Sequence, residues 1–254
     1  MKYISILIVV FAFISCGEQA EEESTNTTED KNEVQATPKN FGEFIERELR
    51  LSPLDDYTVE SYVEECTGDG KSDTVYTVNL LALALREAEE SGNVIRRIEM
   101  GYMGNYNYLV VKDGMSGKYS RPVPIPSSPQ AKLEIQFAPI VNGEHNDIIV
   151  DYRIRNSGFR AYFSMLKGIA IQVFQYMVFD GAGTSNPEAF YAQYEPGSQS
   201  DARDIVIYEG YYENQQFTDP DEVYAFKPEI KQSMVEVRRW FFRPNEYKYF
   251  TENN

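Results

Sequence analysis

The chain has 254 residues, with 40 acidic side chains against 24 basic ones, one histidine, two cysteines and a net charge of −16 at pH 7. So acidic a chain offers no basic stripe to neutralise phosphates, which argues against nucleic acid or an anionic leaflet as partner, and one histidine rules out a zinc site of the Cys/His type. With 42% hydrophobic and 14% aromatic residues, there is material for one large or two small packed domains.

The N-terminus carries Lys2, an apolar run from Tyr3 to Ile14, then Ser15, Cys16 and Gly17. Such a run is too short to span a bilayer, which takes about 20 residues. The arrangement resembles a bacterial lipoprotein signal peptide, although Phe13 stands where that pattern prefers an aliphatic residue. Residues 1–15 are therefore set aside from the fold. The resemblance implies that Cys16 receives the lipid, and that the two or three acyl chains such proteins carry hold the chain to a membrane at about 0.8 kcal/mol per buried methylene. Glu18, Gln19, Ala20, Glu21, Glu22 and Glu23 resemble the acidic export tags of surface-exposed lipoproteins of the Bacteroidota type. They imply an outer-membrane protein displayed on the cell surface, with the periplasmic leaflet as the alternative.

Residues 17–40 hold no aromatic residue and one large aliphatic, Val34. They cannot bury enough surface to offset chain entropy and are expected to form a disordered tether. The tether has seven acids and two bases, a net of −5, and the signal contributes +1 through Lys2; residues 41–254 therefore carry −12.

The folded part is expected to open with a helix. Asn40 caps it, Glu43 stands three residues on, and Phe41, Phe44, Ile45 and Leu49 share a face before Ser52-Pro53 ends it. Alternation then predicts strands at 58–65, 74–78, 94–102, 106–112, 118–125, 132–140, 147–155, 159–164, 169–179, 204–212, 223–226 and 234–242, separated by Gly, Asn and Asp turn signals. The segment 79–90 (NLLALALREAEE) has a helical composition, but its place in a meander favours a long strand. Pro187 at a first helical position predicts a short helix through Tyr194. The four prolines of 121–130 cannot occupy an inner strand. They form either a crossover within one 41–254 domain or a division between two subdomains. The fold class expected is mostly β: an antiparallel sandwich or barrel-like domain with an N-terminal helix.

Few residues carry a chemical signal. Glu65, Thr67, Asp69 and Asp73 around Gly70 resemble the Asp-rich calcium loops of dockerin-type and integrin-like repeats, which makes calcium the one cofactor to consider. Tyr76 stands where an EF-hand needs its acidic twelfth ligand, so that motif is excluded. The plain alternative is a Gly-Asp-Gly hairpin turn. Gly181 to Asn186 misses the third glycine of a dinucleotide loop and lacks a βαβ setting. Ser164-Met165-Leu166-Lys167 spells S-x-x-K without the Lys-Ser/Thr-Gly strand that penicillin-interacting enzymes require. His145 lies in a turn with no G-x-S-x-G to serve, and is expected to be exposed. If Cys16 is acylated, Cys66 has no internal disulfide partner; beside Glu64 and Glu65 it is a structural thiol rather than a nucleophile.

Tyrosine is abundant, at 19 residues. Tyr102, Tyr106, Tyr108, Tyr211 and Tyr212 form clusters that could stack on a glycan or dock a protein, against the plainer role of half-buried strand residues. The expectation is a membrane-anchored protein that binds a protein partner or glycan. A hydrolase of envelope or extracellular polymers with paired carboxylates is the alternative.

Overall fold

Each strand pairs with its neighbour in sequence, so both sheets are antiparallel meanders. The computed structural model describes residues 38–93, 95 and 104–252, and Pro38–Asn254 forms a single unit. The signal residues 1–15, the lipidation residue Cys16, the tether to residue 37 and the strand expected over 94–102, Tyr102 included, lie outside the described residues.

Helix α1 (Phe41–Leu49) begins where Asn40 accepts from the Glu43 amide at 2.9 Å, and ends at Arg50 in the left-handed region with φ 56°. A four-stranded sheet follows, built from β1 (Thr58–Glu64), β2 (Asp73–Asn79), β3 (Asn107–Lys112) and β4 (Val123–Ile125), with α2 (Leu81–Glu90) between β2 and β3. The chain then enters an eight-stranded sheet. Its strands are β5 (Glu134–Ala138), β6 (Asp147–Ile154), β7 (Ser157–Leu166), β8 (Ile169–Asp180), β9 (Glu188–Glu195), β10 (Asp204–Tyr211), β11 (Lys231–Arg243) and β12 (Lys248–Phe250). The proline-rich stretch 121–130 is where the chain leaves one sheet for the other.

Side chains alternate across a strand, and that alternation stacks the layers. In the small sheet Val75, Leu109 and Val111 face one core, while Val78 and Val110 face the helices with Phe44, Ile45, Ala84 and Ala88. In the large sheet Ile148, Val150, Ala161 and Phe163 meet the small sheet, and Ile149 and Tyr162 point oppositely into a further core. That further core is closed by Ile205, Phe242 and Tyr249 from the far end of the same sheet. The sheet can turn back on itself because the β8–β9 ladder holds only two pairs, Phe179–Ala189 and Asp180–Glu188. The architecture is a mostly-β sandwich with an N-terminal helix, as expected.

Four local expectations are corrected. The segment 79–90 is not a strand: the Ala, Leu and Glu of α2 follow their helical propensity, with Ala84 and Ala88 one turn apart and buried. The helix expected from Pro187 to Tyr194 is strand β9, whose Ala189 and Tyr191 are buried alternately and which pairs with β10 from Ala189 to Glu195. The strand expected over 223–226 is instead the end of a 3-10 turn, Pro220–Tyr224, started by Asp219 accepting from the Asp221 amide. The strand expected over 118–125 shortens to β4 and one bridge between Tyr119 and Lys112.

Candidate functional site

A groove of about 540 Å³ opens where the β6–β7 hairpin and β5 meet the segment 221–230. A volume of this size suits a small ligand or a few side chains. Phe179, Tyr224, Pro228 and Ile230 supply apolar lining, and Asp151, Arg153 and Arg160 come from the hairpin. Gly158 is obligatory here: a Cβ on it would stand 2.2 Å from the Phe179 ring.

Two of the three carboxylates lining the groove face cations of the same chain. Asp151 and Arg160 are cross-strand partners joined by bonds of 2.6 and 2.7 Å, and Glu134 meets Lys227 at 2.5 Å. The third acid, Asp221, accepts from Gln130 at 3.3 Å. Lys132 is held by Glu60 of β1 at 2.6 Å.

Arg153 is different. Its guanidinium donates to the carbonyls of Phe226 and Val223, both at 2.5 Å, and lies 4.6 Å from the centre of the Phe179 ring. Among the described residues its buried Nε has no hydrogen-bond partner and its guanidinium no ion-pairing carboxylate. Burial draws its pKa down from the ordinary arginine value.

The residues singled out in the sequence are elsewhere. Asp73 is fully buried and is a hub of donors: its Oδ2 accepts from the amides of Cys66 and Thr67 at 2.9 and 3.0 Å, and its Oδ1 from the Gly114 amide at 2.8 Å. Glu65 accepts from the Gly68 amide at 2.6 Å, and Asp69 from the Lys71 amide at 2.7 Å. Thr67 turns its hydroxyl to Asp73 at 3.3 Å. The carboxylates that converge are Asp69, Asp73 and Asp113, within 4.8 Å of one another. Asp113 comes from the next hairpin, so spacing within the 65–73 loop could not have revealed it. The Ser116 amide is the main cause holding the Asp113 carboxyl below the usual range. Cys66 is buried, and burial, with Asp73 next, pushes its thiol pKa well up.

The tyrosines do not form one face. Tyr106 is buried and donates to Glu87, Tyr108 packs in the same cluster against the helices, and Tyr212 is buried with its hydroxyl on the Asp180 carbonyl. Of the described four only Tyr211 is well exposed, at 58%. His145 is half-buried against Gly68 rather than exposed, with Nε2 enclosed and without a partner among the described residues. Sequence reasoning missed Arg153, Phe179 and Ile230. An arginine following Asp151 and Tyr152 in an otherwise apolar strand was the only local hint.

No protein-family model, curated protein or solved structure matches this chain.

Proposed function

We propose that this chain is a lipid-anchored cell-envelope binding protein, and that its groove takes a segment of a protein partner. The observation that carries the reading is the state of the groove. Its acids Asp151 and Glu134 are neutralised within the chain, while apolar groups from Phe179, Tyr224, Pro228 and Ile230 line the opening. Apolar lining with a few fixed polar groups is the usual make-up of a recognition site. Tyr106, Tyr108 and Tyr212 are committed to packing, so the tyrosine clusters supply no stacking face for a glycan, and the groove is read as taking a protein segment. The acidic stretch after Cys16 supports display at the outer-membrane surface, with the tether as spacer.

The test is site-specific photocrosslinking in intact cells. A photoreactive residue at Lys227, on the exposed rim, is expected to give a discrete adduct that one at exposed Lys71 does not give. Ile230→Asp should abolish that adduct while the chain remains folded. The same pattern from both positions, or no adduct from either, would reject the groove as the partner site.

A further inference from the structure

Charge around the groove is almost balanced, residue by residue. Arg160 has Asp151, Lys227 has Glu134 and Lys132 has Glu60, each at 2.5 to 2.7 Å. Arg153 has two carbonyls and a ring face, none of which carries a formal charge. Glu134 acts on it and is already occupied by Lys227, while Asp221, the third carboxylate of the groove, accepts from Gln130. A guanidinium taken part way out of water without a counterion is a standing electrostatic cost. A guanidinium N–H makes a charge-assisted bond to a carboxylate that is shorter and stronger than a neutral one. Here two of its nitrogens each spend a proton on the 221–230 segment, which fixes its plane before any ligand arrives. Nε is left with no acceptor among the described residues.

We infer that the groove selects ligands that carry a carboxylate next to an aromatic or aliphatic group, with Arg153 as the anchoring cation and Phe179 and Ile230 as the apolar wall. The inference rests on the groove being a binding site, as proposed above, and adds the chemical class of what it binds. In a protein partner the group is a terminal carboxylate, or an acidic side chain, adjoining a large apolar residue. The chain's overall negative charge makes this selective. An acidic partner is repelled by the net charge of the chain, so a cation held in an apolar groove favours a carboxylate there.

The probes are N-acetylphenylalanine and its neutral primary amide, which share size and apolar body and differ in charge. Each is titrated into the full ¹⁵N-labelled chain while the amide signals of Gly158, Tyr224 and Ile230 are followed. The acid is expected to shift these signals at concentrations about tenfold lower than the amide, as one charge-assisted pair implies. Arg153→Gln should remove that preference and Arg153→Lys should keep part of it. Equal binding of acid and amide would overturn the carboxylate class while leaving the groove as a binding site. No shift with either would overturn both readings, and a preference that survives Arg153→Gln would overturn Arg153 as the anchor. The comparison of acid with amide in the unaltered chain stands even if Arg153→Gln loosens the 221–230 segment.

Discussion

Arg160 and Asp151 face each other across the β6–β7 ladder, and the guanidinium grips both carboxylate oxygens, at 2.6 and 2.7 Å. Side-chain exposures of 22% and 25% make this a half-buried pair. Removing one member leaves the other charged and poorly solvated. Asp151→Asn is expected to cost about 1–3 kcal/mol, read as a lower urea midpoint with an unchanged slope. Replacing both with a leucine pair should recover part of the loss.

Asp73 ties two hairpins together, since its carboxylate accepts amides from Cys66 and Thr67 on one side and Gly114 on the other. Asp73→Ala would orphan these donors and is expected to cost about 2–4 kcal/mol. The loss should be the same with chelator present. Equal melting temperatures for Asp73→Ala and the unaltered chain in chelator would show that the carboxylate has no structural part.

Asp55 sets a pH dependence. The Ser52 amide first and Arg86 second hold its carboxyl below the usual range, with bonds of 2.7 and 2.5 Å. The folded chain therefore binds this proton less readily than the unfolded chain. Its stabilising contribution is complete above the unfolded value of about 3.9 and is lost as the pH falls through the lower folded value. Hydrogen-exchange protection at Ser52 and along α2 should fall below about pH 4, and Arg86→Gln should shrink that fall by bringing the folded value closer to the unfolded one. A fall of the same size in Arg86→Gln would remove Arg86 from the account.

Gly158 permits Phe179 to lie beneath Arg153. Gly158→Ala would set a methyl 2.2 Å from that ring and is expected to cost about 1–3 kcal/mol through overpacking. The same substitution should disturb the signals of Tyr224 and Ile230 more than those of α1.

Cys16→Ser is expected to move the chain from the membrane pellet to the soluble fraction and to abolish incorporation of a palmitate analogue. Protease shaving of intact cells then separates the two leaflets. A chain cleaved only after the outer membrane is broken would face the periplasm.

Much of the fold was legible because binary patterning is local. Asn40 and Glu43 marked the first helix, and the alternation in 147–155 and 159–164 marked the central hairpin. Segment 79–90 misled because a meander was extended through residues whose own propensity is helical, while Pro187 misled because it sits at the mouth of a strand. The groove was illegible for a different reason. Arg153 meets Val223 and Phe226 across about 70 residues of chain, and Asp113 joins Asp69 and Asp73 from another hairpin. No spacing rule reaches that far.

The two-pair β8–β9 ladder bears on how the domain carries force. A pull between Pro38 and the groove runs through α1, the small sheet and the core shared by Val75, Leu109, Val150 and Phe163. The narrow join between Phe179–Asp180 and Glu188–Ala189 stands at the groove end of this line, because the Phe179 ring lies 4.6 Å from the Arg153 guanidinium. A load applied in the groove therefore falls on the narrowest ladder of the large sheet.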